Sequence, residues 1–197
     1  MFTGPFFIST LLMEKNIMDT FDKKSLQIFE DMKSGLYERG YNENDLTLTE
    51  EDPLRYETQI DNSRIADVKN LQSTLWVCYF PNHQHVFVGV TFPDRIPEEK
   101  LPFIVAFLNV MNSCAQLQHL TLCPVCHRID AVAGISLTNK KLPKEKFQTL
   151  LSVSEANSSF LHSIIRRIIE DENRVDRVVS AFCLDHPEFE KYYGGRP

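Results

Sequence analysis

Apolar residues recur along this chain with two different periods, and the switches between them mark its elements. From Asp22 to about Tyr37, Leu26, Phe29, Met32 and Leu36 share one stripe, while Lys23, Lys24, Asp31 and Lys33 fall outside it. That is the spacing of an amphipathic helix, with Asp22 as its N-cap and Gly40 as its stop. An acidic, polar segment follows from Asn42 to Asp52, holding only the apolar pair Leu46 and Leu48. The period then shortens to two. Leu54–Asp61 alternates in type and reads as a strand near a sheet edge. Ser73–Phe80 and His85–Phe92 are β-branched and aromatic runs joined by Pro81-Asn82-His83-Gln84, which predicts a hairpin. Val86, Phe87 and Val88 make both faces of the second run apolar, so this strand is expected inside a sheet rather than at its edge.

The helical period returns between Leu101 and Ala115. Phe103, Phe107, Val110 and Cys114 lie on one face, and Leu101, Ile104, Val105, Leu108 and Met111 on another. A surface helix keeps one polar side, so a helix apolar on two faces is expected to be covered on both, by a sheet and by other helices or a partner. It is too short for a membrane span, which needs about 20 apolar residues, and Asn109 and Asn112 interrupt it.

A similar sequence of elements then repeats. Gln118–Cys123 and Arg128–Leu137 form a second hairpin-like pair, followed by a helical region introduced by Leu142-Pro143-Lys144-Glu145-Lys146. The first helix of this kind is introduced by Ile96-Pro97-Glu98-Glu99-Lys100, and both place proline at a helix start, where its missing N–H costs nothing. Two strand-strand-helix units in one sheet, or two ordinary helix starts, both account for this. Within the second helical region the polar stretch Ser154–Ser159 is either an exposed turn of one long helix or a break between two. Glu172–Leu184 predicts a closing helix with Val175, Val178, Val179 and Phe182 inward. The fold class expected is α+β: an antiparallel sheet with helices packed on it, in the order α-β-β-β-α-β-β-α, plus a C-terminal helical extension. The divisions are an N-terminal arm over 1–21, the main domain over 22–170, and a C-terminal helix and tail over 171–197.

Composition narrows the class of function. A hydrophobic content of 43% and a charged content of 24% suit a soluble globular chain with a real core. A net charge of −6 argues against a nucleic-acid binder, which carries a basic surface. Five cysteines, an odd number, read as reduced thiols of a cytoplasmic protein rather than a disulfide framework. The apolar arm with Phe2, Phe6, Phe7 and Leu11 lacks a basic start and is broken by Gly4 and Pro5, so it reads as a loose arm rather than a signal peptide. Docking of that arm on a neighbouring subunit is the sharper alternative.

Chemistry is sparse. Cys123-Pro124-Val125-Cys126-His127 spells the haem-attachment motif, but such attachment follows export and a haem pocket, neither of which the sequence suggests. For zinc, Cys123 and Cys126 supply half of a four-ligand site, and His127 or His119 would add a third ligand, with a second protomer completing it. A redox pair is a further option, although a thioredoxin-like C-x-x-C opens a helix and this one leads into a strand. The plain alternative is a turn shaped by Pro124. His83 and His85 flank Gln84 in the first hairpin turn, where solvated histidines are the common case. Trp76, Tyr79, Phe80, Phe87 and Phe92 read as core. Arg166, Arg167 and Arg174 with Glu170, Asp171 and Glu172 read as a solvated helix face. No nucleophile elbow, phosphate-cradling glycine loop or H-E-x-x-H occurs in the sequence.

The element order, the wording around IPEEKLPFIVAFLN and the second strand pair followed by LPKEKFQTLL resemble the YbjN-like family of bacterial sensory-transduction regulators, whose fold is similar to type III secretion chaperones. The resemblance covers about Asp22 to Glu170. The thiol turn and the helical extension depart from it. It implies a non-enzymatic, homodimeric module that binds a protein partner or itself; charge, helix length and the sparse motifs add the expectation of no cofactor, no nucleic acid and no membrane. On that reading Phe103, Phe107 and Val110 form the partner or dimer surface. A metal or redox sensor built on Cys123, Cys126 and His127 is the rival.

Overall fold

In Gln72–Phe80 (β3), Ser73, Leu75, Val77 and Tyr79 are buried, and in Ile129–Ser136 (β6), Ile129, Ala131, Ala133 and Ile135 are buried. Alternate residues of a strand point to opposite faces, so these side chains line one side of a sheet. The computed structural model describes residues 22–49, 55–61, 72–114, 117–139 and 141–170. The arm over 1–21 and the expected closing helix and tail over 171–197 lie outside the described residues.

Around β3 and β6 the chain places α1 (Lys23–Glu38), β1 (Thr47–Thr49), β2 (Arg55–Asp61), β4 (His85–Thr91), α2 (Leu101–Cys114), β5 (His119–Leu122) and α3 (Lys144–Glu170), with a short 3-10 turn at Glu98–Lys100. The strands form a six-stranded sheet in the order β1-β2-β3-β4-β6-β5, every neighbouring pair antiparallel. The expected α+β class is therefore observed, and β4 is interior as its two apolar faces predict. One element is additional. Leu48 pairs with Tyr56 in β1, and Leu46 and Leu48 pack against the core, so the two leucines of an otherwise polar segment suffice for a short edge strand.

All three helices contribute to one buried cluster on one face of the sheet. Asp22 caps α1 by accepting the Ser25 N–H at 2.7 Å, and Ile28, Phe29, Met32 and Leu36 turn inward. At Gly40 the backbone adopts φ +94°, a conformation that glycine enters at no steric cost, which ends the helix. α1 meets α3 at Gly35, where a β-carbon would stand 2.5 Å from the Phe147 ring, so only glycine permits this approach.

α3 is one unbroken helix of 27 residues. Its polar stretch is neither an exposed turn nor a break. Ser154 and Ser158 are buried, Gln118 donates to Ser154 Oγ at 2.7 Å, and Asn157 donates to Gln118 Oε1 at 3.0 Å. The neighbouring Glu155 accepts from Tyr41 at 3.0 Å and pairs with Arg39. Polar side chains are affordable inside because each finds a partner there. Burial and the Glu155 carboxylate together push the Tyr41 hydroxyl well above its ordinary value.

The expectation for α2 needs correction. Ile104, Phe107 and Leu108 are buried, whereas Phe103 is 47% and Val105 45% exposed. The sheet and α3 cover one side of this helix, and no further layer covers the other among the described residues. Its buried side also carries a polar contact: Asn112 reaches the backbone of Leu120 in the edge strand β5.

Candidate functional site

Three places on the molecule combine exposure with an arrangement that general packing does not require. The first is the outer flank of α2. Going around the helix, its exposed arc runs from Val105 through Asn109, Pro102, Ser113 and Ala106 to Phe103, with half-buried Val110 between the last two. Two bulky apolar side chains thus rim a strip of small ones. Of the trio expected to form a surface, Phe103 alone is exposed. Phe107 is wholly buried and Val110 half-buried: four residues advance the helix about 40° past Phe103, which at the edge of the exposed arc brings Phe107 beside the buried Ile104. The trio does not act as one surface in this fold.

The second is the face of the sheet that bears no helix among the described residues. Register puts Arg55, Glu57 and Gln59 of β2 beside Phe80, Cys78, Trp76 and Thr74 of β3, then His85, Phe87, Gly89 and Thr91 of β4, then Ser136, Gly134, Val132 and Asp130 of β6. The five aromatics read as core therefore separate by strand parity. Tyr79 and Phe92 enter the core, while Trp76, Phe80 and Phe87 lie half-exposed on the opposite face. Trp76 lies flat over Gly89, where a β-carbon would stand 2.1 Å from its ring. The Arg55 guanidinium lies 5.9 Å from the Trp76 ring centroid. Trp76 Nε1 donates to Thr91 Oγ1 at 3.1 Å, and the Thr91 hydroxyl donates in turn to Asp130. Burial raises the Asp130 carboxyl above its ordinary value, against the opposing pull of the Thr91 hydrogen bond and of Arg55. This polar chain across three strands escaped sequence reasoning. Its signal was an aspartate inside the β-branched run Arg128–Leu137. Cys78 lies beneath the same face, its thiol pushed up to about 11 by burial.

The third is the turn between β5 and β6. Cys123 N–H donates to Arg128 O and His127 N–H to Cys123 O, both at 2.9 Å, and Cys126 N–H points at Cys123 Sγ at 3.4 Å. Pro124 presets the backbone at the turn's start, and His127 takes a left-handed φ of 55°. The N–H of Cys126, then its thiol, then the N–H of Val125 hold the Cys123 thiol below its ordinary value. Val125 at the tip is 85% exposed. Both thiols are free. His127 does not join them: among the described residues no three such side chains form a group able to hold a metal.

The remaining candidates are structural. His85 Nδ1 lies 2.5 Å from His83 O and its Nε2 2.9 Å from Ser136 Oγ, so its ring is held by neighbours rather than shared with His83 in a ligand pair. Arg166 bonds Glu170 at 2.7 Å in the expected i,i+4 pair. Arg174, Asp171 and Glu172 lie outside the described residues. His162 on α3 is buried, with Nε2 2.6 Å from Asp94 Oδ2, and this contact holds the Asp94 carboxyl below its usual range.

No family model and no curated protein matches this sequence. Among solved structures the chain is similar to YbjN, a candidate transcription regulator from E. coli, with a TM-score of 0.48 and 11% identity over 72% of this chain and 89% of that one. At that identity no residue role is carried across. No described helix is long and apolar enough to cross a membrane.

Proposed function

We propose that this chain is a non-enzymatic protein-binding module, and that its first partner is a second copy of itself joined through the outer flank of α2. The observation that carries this is the exposure of Phe103 and Val105, at 47% and 45%, on the flank of a helix whose other side is already packed. A surface helix without a partner places charged residues there. This one has none between Leu101 and Cys114. Self-pairing would set Phe103 of one copy over the small strip at Ala106 and Asn109 of the other, the self-complementary arrangement that a two-fold interface requires. Regulation of a partner protein would follow through the helix-free sheet face, whose half-exposed Trp76, Phe80 and Phe87 offer apolar area to an incoming segment. The free thiols of half-buried Cys123 and exposed Cys126 suit a reducing cytoplasm.

Sedimentation of the full chain tests this. The wild type is expected to run as a dimer and Phe103→Asp as a monomer with an unchanged circular dichroism melt, since the side chain is outside the core. A monomeric wild type, or a Phe103→Asp variant of unchanged mass, overturns the assignment. Phe107→Asp is not a usable probe, because it puts a charge into the core.

A further inference from the structure

The binding function makes no use of the turn at Cys123–His127, and closing a hairpin does not require two sulfurs. Here the Cys126 N–H stands 3.4 Å from Cys123 Sγ, and the Cys126 thiol is in hydrogen-bonding contact with the same sulfur. Bridged cysteines have α-carbons about 4.4–6.8 Å apart, and a tight turn brings residues i and i+3 within about 7 Å. The pair is therefore placed for a bond between its sulfurs without moving the strands that flank it. The surrounding backbone is closed: Cys123 N–H donates to Arg128 O and His127 N–H to Cys123 O, both at 2.9 Å. Ile96 N–H donates to His127 O at 2.8 Å and ties the turn to the segment before α2.

The two sulfurs differ in setting. A thiolate is the attacking form of cysteine, and backbone N–H groups aimed at sulfur favour it. At a helix start the first turn provides such donors. Here the hairpin turn provides them. The Cys126 N–H, then the Cys126 thiol and the Val125 N–H, outweigh burial and the Asp130 carboxylate, so the Cys123 thiol lies below its ordinary value. Cys126 is exposed and lies against that sulfur, where a second thiol can reach it. Cys78 is the contrast within the same chain: it is buried, and its thiol is pushed up to about 11.

We infer that Cys123 and Cys126 form a reversible disulfide by exchange with a small-molecule disulfide, Cys123 attacking and Cys126 resolving. The Cys123 thiolate attacks one sulfur of the small disulfide, whose S–S bond breaks and releases one thiolate. That thiolate takes up a proton. Cys126 then gives its proton to solvent, attacks Cys123 Sγ of the mixed disulfide and expels the second small thiolate, which is protonated in turn. Two protein thiols are oxidised and one small disulfide is reduced to two thiols. Excess small thiol reverses both steps. In a reducing compartment such a bridge is transient, a sensor rather than a staple.

The test uses the full chain in buffers of reduced and oxidised glutathione, quenched with acid and mapped by peptide mass. The wild type is expected to form the Cys123–Cys126 bridge and to lose it in excess reduced glutathione. Because the turn holds the sulfurs together, the folded chain should reach half-bridging at about tenfold less oxidising buffer than the urea-unfolded chain. Cys126→Ser should stop at a glutathione adduct on Cys123, and Cys123→Ser should react about tenfold more slowly. Phe103→Asp should bridge as the wild type does, which separates this site from the α2 interface. Three results overturn the inference: no Cys123–Cys126 bridge in the map, half-bridging no easier in the folded chain than in the unfolded one, or Cys123→Ser reacting as fast as Cys126→Ser.

Discussion

The side-chain amide of Asn112 and the peptide of Leu120 face each other as two strands would, with Asn112 Nδ2 donating to Leu120 O at 2.8 Å and Leu120 N–H donating to Asn112 Oδ1 at 2.7 Å. Among the described residues β5 is an outer strand of the sheet, and such an edge is where another chain would add. Asn112 occupies that position at Leu120. Strand addition at this edge is therefore disfavoured, and apolar docking remains the open mode. Asn112→Ala is expected to cost about 1–3 kcal/mol by leaving both backbone groups without their partner. It should also speed hydrogen exchange at the Leu120 amide. Asn112→Asp, which accepts but cannot donate, should restore protection of that amide without restoring all of the stability.

Gly35 offers a test of the α1–α3 contact. Gly35→Ala drives a methyl group to 2.5 Å from the Phe147 ring, and overpacking of this kind costs about 1–3 kcal/mol. The measurement is a urea midpoint. An unchanged or raised midpoint would mean that the helices separate freely there, since alanine is otherwise the better helix former.

Two aspartates should titrate in opposite directions. Asp94 is held below its ordinary value chiefly by the hydrogen bond from His162, so its contribution is present above the unfolded carboxylate range and is lost as pH falls through the depressed folded value. Asp94→Asn should thus destabilise at neutral pH, and the difference should shrink in acid. Asp130 is raised by burial, so the strain of ionising it is absent below the unfolded value and is felt as pH rises through the folded one. Asp130→Asn keeps an acceptor for Thr91 and should stabilise at pH 7, with the gain vanishing below about pH 4. Denaturant melts of both variants against pH provide the check.

The helix-free sheet face can be followed by fluorescence, since the chain has a single tryptophan. Gly89→Ala places a β-carbon within 2.1 Å of the Trp76 ring and must lift it off the sheet. The emission is expected to shift to the red, and the Trp76–Thr91–Asp130 chain to open. An unshifted spectrum would show that the ring is not seated on Gly89.

Regular alternation made most of the sheet legible in the sequence, and the amphipathic stripe of α1 was equally plain. What escaped was information carried by distant partners. The inward polar stretch of α3 makes sense only beside Gln118, 36 positions away from Ser154, and the Thr91–Asp130 bond joins residues 39 apart. β1 is too short to have a period of its own. For α2, a helical wheel shows that two arcs are apolar but not whether each has something to lie against, so Phe103 and Phe107 looked alike. Parity alone would have parted Trp76 from Tyr79, had the odd and even positions of that strand been assigned separate fates.

The polar knot in the middle of α3 has a mechanical consequence. A long helix held only by aliphatic side chains can slip along its neighbours by a turn at modest loss, because one greasy contact resembles the next. Ser154, Glu155 and Asn157 have individual counterparts, Gln118 on one side and Arg39 with Tyr41 on the other, and a slip would break all of them together. The rod is thereby fixed in its axial setting, and its far end at Glu170 is delivered to one spot on the molecule.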